Sequence, residues 1–123
     1  MRDESTPSRI SAVNLAEVVD VLTRIFKSPL DDVLATIAML ESGGLEVVHV
    51  DRSIGVHAGE LHGRYYDRAS SPLSMADCVG LATAAAVGEP LATSDEPLAR
   101  AASAENVATI ALPDSRGRRP SGS

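Results

Sequence analysis

The sequence predicts an α/β fold, a three-layer α/β/α sandwich with a mainly parallel sheet. The spacing of apolar residues switches several times between short continuous runs and helical periodicity. Predicted strands alternate with predicted helices, and the strand runs are too uniformly apolar to leave one face polar. Strands of this kind form a parallel sheet that helices cover on both sides.

The predicted elements follow in one order along the chain. They are a strand at 10–13, a helix at 15–26, a helix from Pro29 to 42, a strand at 45–50, a helix at 53–69, a helix at 74–88, a strand at 90–94, a helix at 95–103 and a strand at 107–112. No internal repeat is present.

The N-terminal elements depend on recognisable start and stop signals. The first apolar run stops at Asn14, which with Glu17 has the spacing of a capping box. Pro29 suits the first turn of the second helix, and the pair Gly43-Gly44 is a strong stop signal. The short β-branched run after these glycines predicts the second strand.

The C-terminal elements carry similar signals. Pro72 breaks the third helical pattern, and Ser74 is suited to cap the next helix, which holds Asp77 in its first turn. That helix is rich in alanine and ends at Gly88. Pro97 fits the first turn of the last helix.

Length and composition predict one folded domain. The 123 residues, 44% of them hydrophobic, are enough for a single core. We expect a polar N-terminal segment at 1–8, the domain at 9–113 and a disordered tail at 114–123, where Arg, Ser, Gly and Pro dominate.

Charge and targeting signals narrow the class of function. A formal net charge of −6 argues against a broad basic face for nucleic acid, although a carboxylate metal site can meet a substrate phosphate in an acidic protein. No run approaches the roughly 20 apolar residues of a membrane helix. The polar start and the single cysteine, Cys78, predict a cytoplasmic protein.

Three acidic residues are expected at one edge of the sheet. Glu17 follows the first strand, Asp77 lies in the opening turn of the helix before the third strand, and Asp95 follows that strand. Helix N-termini and strand carboxyl ends share an edge in a parallel sheet. Crowded carboxylates repel one another unless a cation lies between them, and hard oxygen ligands suit Mg²⁺ or Mn²⁺.

A structural interpretation competes with this metal site. Acidic residues in a first helical turn also stabilise the helix dipole, each by about 0.3–1 kcal/mol. We favour the metal site because all three acids share an edge and each lies near a hydroxyl or amide. The neighbouring polar residues are Asn14, Ser74, Thr93 and Ser94.

The strings ISAVNLAEV (10–18), LSMAD (73–77) and LATSD (91–95) resemble successive motifs of the PIN-domain ribonucleases, especially the VapC-type toxins of bacterial toxin–antitoxin pairs. The resemblance runs from about residue 10 to 113, and the ordered set is more specific than any single motif. It implies hydrolysis of RNA phosphodiester bonds, a cognate antitoxin and a homodimer.

The resemblance also implies roles for individual residues. Glu17, Asp77 and Asp95 would be catalytic and would hold Mg²⁺ or Mn²⁺. Three more residues would support the site: Thr93 and Ser94 would shape the loop that presents Asp95, and Asn14 would brace the first helix.

One part of the family pattern is missing. Such domains usually open with a strand that ends in an aspartate, followed by a helix, and Asp3 is a poor substitute for that residue. We therefore expect that the natural gene extends upstream, and that the 123 residues alone are inactive or poorly soluble.

Two further functional hypotheses stay open. One is a non-catalytic PIN-like remnant that keeps the surface for an antitoxin or for dimerisation. The other is a flavodoxin-like nucleotide or receiver domain, which is weakened because no glycine-rich phosphate loop follows the first strand.

Two other features have alternative interpretations. Cys78, beside Asp77, could be a metal ligand or nucleophile, but we favour a small buried hydrophobic residue. The arginines 116, 118 and 119 could contact RNA phosphates, but we favour a solubilising role for them.

Overall fold

The computed structural model describes residues 8–114 and 116–120. The chain divides into two compact units, Met1–His49 and Val50–Ser123, called unit one and unit two below.

Unit one pairs two short parallel strands through a helical connection. Its elements are β1 (Arg9–Ser11), α1 (Ala12–Asp20), a π-helical turn (Val21–Ile25), α2 (Leu30–Ser42) and β2 (Glu46–Val48). In the register of the strands, Ile10 lies opposite Val47. Helix α2 ends at Gly43, and Gly44, with φ of 114°, then turns the chain back toward β2.

The first strand is shorter than predicted because the helix begins earlier. Ser11 is the N-cap of α1, and its hydroxyl accepts a hydrogen bond from the Asn14 amide at 3.0 Å. Asn14 therefore lies inside the helix. The prediction that Asn14 and Glu17 form the capping box was wrong, because the helix begins three residues earlier, with Ser11 as its N-cap.

The end of the first helical segment also differs from the simple helix predicted. Over Val21–Ile25 the backbone changes to π-helical bonding, and the amide of Phe26 donates to the carbonyl of Val21 at 3.2 Å. Lys27, with φ of 57°, then ends the segment. The helical spacing in the sequence was therefore correct, but it did not distinguish the two hydrogen-bonding patterns.

Unit two contains three helices and a second parallel strand pair. Its elements are α3 (Arg52–Tyr65), α4 (Met75–Val87), β3 (Leu91–Thr93), α5 (Glu96–Ala104) and β4 (Thr109–Ala111). Thr93 lies opposite Ala111 in the register of β3 and β4. Gly88, with φ of 69°, ends α4 as predicted.

Helix α3 ends earlier than the predicted position 69. Tyr66 already has extended backbone angles, and the Asp67 carboxylate accepts hydrogen bonds from the amides of Ala69 and Ser70, both at 3.0 Å. An aspartate that binds amides two and three residues ahead favours a turn over a continued helix.

The core of unit two lies where α3 packs against α4. Leu61 from α3 and Cys78, Leu81 and Ala82 from α4 are almost completely buried. Small side chains on α4 let the two helices approach closely, as the alanine-rich sequence predicted.

Parallel strands joined by helices in both units confirm the predicted α/β class. Within the described residues, each helix is too short or too polar to cross a membrane. The predicted boundaries at residues 8 and 113 stay predictions.

Candidate active site

Asp77 is fixed at the start of α4 by a reciprocal capping box. The Ser74 hydroxyl accepts a hydrogen bond from the Asp77 amide at 3.0 Å, and Oδ2 of Asp77 accepts one from the Ser74 amide at 3.0 Å. Two otherwise unsatisfied helix N-terminal amides are bonded in this way. The half-buried carboxylate is therefore held in one orientation.

Asp95 performs a similar function at the start of α5. Its Oδ2 accepts a hydrogen bond from the Leu98 amide at 2.9 Å, which makes it the N-cap residue. Its own amide donates to the buried Thr93 hydroxyl at 3.0 Å. These two hydrogen bonds fix the loop between β3 and α5, which includes the exposed Ser94.

The topology of unit two places these two aspartates at one edge. Asp95 follows the carboxyl end of β3, and Asp77 begins the helix that leads into β3. A helix that precedes a parallel strand starts at the carboxyl edge of that strand. Both carboxylates therefore belong to the edge at which ligands bind in open α/β sheets.

Each aspartate keeps one oxygen available for a ligand. The capping bonds use Oδ2 of Asp77 and Oδ2 of Asp95. Over residues 8–114 and 116–120, Oδ1 of neither side chain accepts a hydrogen bond. Two oriented carboxylate oxygens fit a hard divalent cation such as Mg²⁺ or Mn²⁺.

Glu17, the third predicted site residue, lies in unit one. It is exposed on α1, and its Oε1 accepts a hydrogen bond from Asn14 Nδ2 at 3.3 Å. Asn14 is in turn joined to the cap, since the Ser11 hydroxyl donates to Asn14 Oδ1 at 2.5 Å. Asn14 thus links the start of α1 to the Glu17 carboxylate.

Within neither unit, over the described residues, do three His, Cys, Asp or Glu side chains form a group that could hold a metal ion. The pair Asp77 and Asp95 belongs to unit two, and Glu17 belongs to unit one. The assignment of all three as catalytic metal ligands stays a prediction.

Cys78 follows Asp77 in α4 but does not belong to the candidate site. Its side chain is fully buried. Burial raises the pKa of the Cys78 thiol above its ordinary value, and the Asp77 carboxylate raises it further. A thiol kept neutral is a poor nucleophile and a poor metal ligand, so its interpretation as a small buried hydrophobic residue is confirmed.

Sequence reasoning missed a turn that begins at Asp114. The Asp114 carboxylate accepts hydrogen bonds from the amides of Arg116 and Arg118, at 2.8 and 2.9 Å. These two amide bonds hold the pKa of Asp114 below its ordinary value. An aspartate three residues before Gly117 was the available signal, since Asp and Gly are typical turn residues.

The fold and these acidic helix starts define an α/β domain with carboxylates at a sheet edge, a class that includes metal-dependent nucleases. The chain belongs to the PIN domain family, whose model matches residues 3–104. No curated protein and no solved structure is significantly similar to the chain. PIN domains are generally nucleases, and the match supports a nuclease, which is a hydrolase of phosphodiester bonds.

Proposed function

We propose that this PIN-domain protein is a Mg²⁺- or Mn²⁺-dependent endoribonuclease and acts as a VapC-type toxin in the cytoplasm. The observation that carries the proposal is the pair Asp77 and Asp95. Each aspartate is fixed by capping bonds through one oxygen, and the other oxygen accepts no hydrogen bond in the described part of the chain. Orientation by such bonds is what a metal ligand requires.

Each residue of the candidate site would have its own role. Asp77 and Asp95 would hold the cation through their Oδ1 atoms, and Glu17 would be the third carboxylate. Thr93 bonds the Asp95 amide and Asn14 bonds the Glu17 carboxylate, so both would hold their partners in place, and Ser94 would shape the loop that presents Asp95. The chemistry supplied by bound Mg²⁺ or Mn²⁺ is activation of water and stabilisation of charge at the phosphate and the leaving oxygen.

Metal binding and RNA cleavage test the proposal together. Asp77→Asn and Asp95→Asn should each weaken Mn²⁺ binding, measured by calorimetry, by at least about 10- to 100-fold, the loss seen when only an outer-shell partner is removed. Cleavage of a labelled RNA should fall with it, because the carboxylate charge is lost while the capping ability of Asn is kept.

Glu60→Gln is the matched control. Glu60 is exposed on α3, and its one ion pair among the described residues is with Arg64 at 3.5 Å, so the same charge is removed from a position outside the site. Equal losses of Mn²⁺ affinity in all three variants would contradict the assigned site.

The proposed partners are a cognate antitoxin and a second copy of the chain. Unit one exposes many large apolar side chains, among them Ile25, Phe26 and Met39, and such exposure supports a protein partner. Sedimentation of the purified chain tests the homodimer: a monomer at micromolar concentration contradicts it.

A second candidate is a PIN-like domain that binds an antitoxin or dimerises without catalysis. It is favoured by the helix-capping bonds of Asp77 and Asp95, which give both residues a structural function. Antitoxin binding or dimerisation in a chain whose Mn²⁺ affinity is unchanged by Asp77→Asn and Asp95→Asn would select this candidate.

A further inference from the structure

The segment after β4 leaves the sheet next to the end of β3, the strand that leads to Asp95. Ala111 at the end of β4 pairs with Thr93 at the end of β3, and the next amide, of Leu112, donates to the Thr93 carbonyl at 2.9 Å. Asp95 is two residues beyond Thr93, and Asp114 is three beyond Ala111. Chain length and strand spacing therefore limit the separation of their Cα atoms to about 23 Å.

This segment forms a hydrogen-bonded turn, called the basic turn below, which comprises Asp114 and residues 116–119. Besides the two amide bonds to the Asp114 carboxylate, the Asp114 amide donates to the Arg118 carbonyl at 2.6 Å. The Gly117 amide donates to the Asp114 carbonyl at 2.9 Å, and Gly117 supplies the positive φ of 79°. The turn fixes where its arginines leave the backbone.

The charges of the basic turn are unevenly paired. Arg118 Nε lies 3.3 Å from Asp114 Oδ2, so these two charges offset each other. Arg116 and Arg119 are exposed, and neither side chain has an acidic partner among residues 8–114 and 116–120. The turn therefore presents two uncompensated positive charges.

Most other arginines of the described residues are neutralised locally. They form the ion pairs Arg9–Glu46, Arg24–Asp20, Arg64–Glu105 and Arg100–Glu96. A chain with a net charge of −6 repels a polyanion, so a phosphate backbone needs local free cations near the acidic edge. Guanidinium groups match phosphate geometry especially well.

We infer that the basic turn binds phosphates of the RNA strand through Arg116 and Arg119, on the side of the sheet edge where Asp95 lies. The inference rests on the proposed function for the identity of the substrate. Asp77 and Asp95 would act at one phosphodiester, while the two arginines would hold phosphates a few nucleotides away. The basic turn is thus a substrate-positioning element and takes no part in the chemical step.

Salt-dependent RNA binding tests the inference without cleavage. The probe is a fluorescein-labelled single-stranded RNA, measured by anisotropy with the full chain in EDTA. Each phosphate contact contributes about 0.7 to the slope of log K against log salt. Arg116→Gln with Arg119→Gln should lower the slope by about 1.4 and weaken binding at 0.1 M salt by about 25-fold.

Two controls keep the result interpretable. Arg68→Gln removes an exposed arginine from the turn after α3 that makes no ion pair in the described residues, and it should leave the slope unchanged. Arg116→Lys with Arg119→Lys keeps both charges and should retain most of the slope, which excludes a general folding defect.

Cleavage kinetics separate this inference from the proposed function. The double Gln variant should raise KM with little change in kcat, whereas Asp95→Asn should abolish kcat. An unchanged slope in the double Gln variant, with normal cleavage, overturns the inferred role of the basic turn in RNA binding. The proposed nuclease function would not be affected by that result. Arginine-dependent RNA binding, with Mn²⁺ affinity unchanged by Asp77→Asn and Asp95→Asn, upholds the role of the turn and overturns the proposed nuclease site.

Two further outcomes overturn the inference. One is the absence of measurable RNA binding by the parent chain at low salt. The other is competition by polyglutamate as effective as competition by unlabelled RNA, because the arginines would then bind any polyanion.

Discussion

Unit two holds nearly all of the buried apolar side chains of the described residues, whereas unit one leaves many of its large apolar side chains exposed. Apart from Val33, every buried apolar side chain of the described residues belongs to unit two. In unit one Phe26 is 68% exposed and Met39 74% exposed, while Leu61 in unit two is 0% exposed. Both units carry apolar residues at helical spacing, so periodicity alone does not determine burial.

The difference follows from what covers each helix face. In unit two, α3 and α4 pack along each other, and the alanines of α4 keep the helices close. In unit one, α2 makes its main contacts with the π-helical turn, and much of its apolar side stays uncovered. A helical face contributes to stability only when another surface removes it from water.

The largest expected effect comes from a matched pair of leucines. Leu61→Ala in α3 should lower the free energy of unfolding by about 2–5 kcal/mol, because a cavity replaces a fully buried side chain. Leu34→Ala in α2 should cost less than about 1 kcal/mol, since Leu34 is 50% exposed. Urea denaturation measures both.

The two leucine variants can also contradict the proposed difference in burial between the units. A loss at Leu34 as large as the loss at Leu61 would mean that the apolar side of α2 is covered in solution. If that loss depended on protein concentration, a second copy would be the cover.

Substitutions at the helix caps should have a smaller effect on the free energy of unfolding, measured in EDTA so that no metal is bound. Asp95→Ala should destabilise the chain by about 1 kcal/mol, because the Leu98 amide loses its acceptor. Asp95→Asn should keep most of that stability, since Asn also caps helices well. The corresponding change in unit one, Glu17→Ala, should stay within about 0.5 kcal/mol, because within the described residues the carboxylate loses just the long bond from Asn14.

The cap variants also make the Mn²⁺-binding test more specific. An Asp95→Asn variant that is folded but does not bind Mn²⁺ separates the charge of the carboxylate from its capping bond. A large loss of stability in Asp95→Asn would instead show that its effect on cleavage reflects unfolding.

The smallest effect concerns acid stability. Glu105 in unit two accepts hydrogen bonds from the Tyr65 hydroxyl and from Arg64 Nη1, the latter at 2.7 Å. The Tyr65 hydrogen bond and then Arg64 lower the pKa of Glu105 from its ordinary 4.5. The stabilisation is therefore present above pH 4.5 and is lost as pH falls through the lower, folded-state pKa.

Measurements of the melting temperature as a function of pH test the direction of this pH dependence. The difference in Tm between the parent and Glu105→Gln should be largest above pH 4.5 and should shrink below it. In unit one Arg24 lowers the pKa of Asp20 in the same direction. That pair lies within one exposed helical segment, four residues apart, so Asp20→Asn should change the pH profile less. A larger change for Asp20 would contradict the view that long-range contacts stabilise unit two.

The order of elements could be predicted from the sequence because its signals are local. Ser74 with Asp77 three residues later, Gly88 after the alanine-rich helix and Pro97 in a first turn each act within a few residues. Apolar runs between such signals identify strands, and their order indicates a parallel arrangement. The same locality placed Asp77 and Asp95 at helix starts.

Competition between local signals could not be resolved in the same way. Ser11 and Asn14 can both cap a helix, and only the structure shows that Ser11 does so. Asp67 ended α3 four residues early because its carboxylate reached two nearby amides. When several residues offer similar local bonds, the backbone path decides among them.

The α/β class, the helix starts that carry Asp77 and Asp95, and the PIN-like motifs could all be read from the amino-acid sequence, because each depends on residues close together in the chain. Which apolar faces are buried, that each aspartate keeps one oxygen without a hydrogen bond in the described residues, and that β4 ends next to the end of β3 are known from the three-dimensional structure alone. Those properties depend on which distant segments meet, and helical or strand periodicity carries no information about that partner.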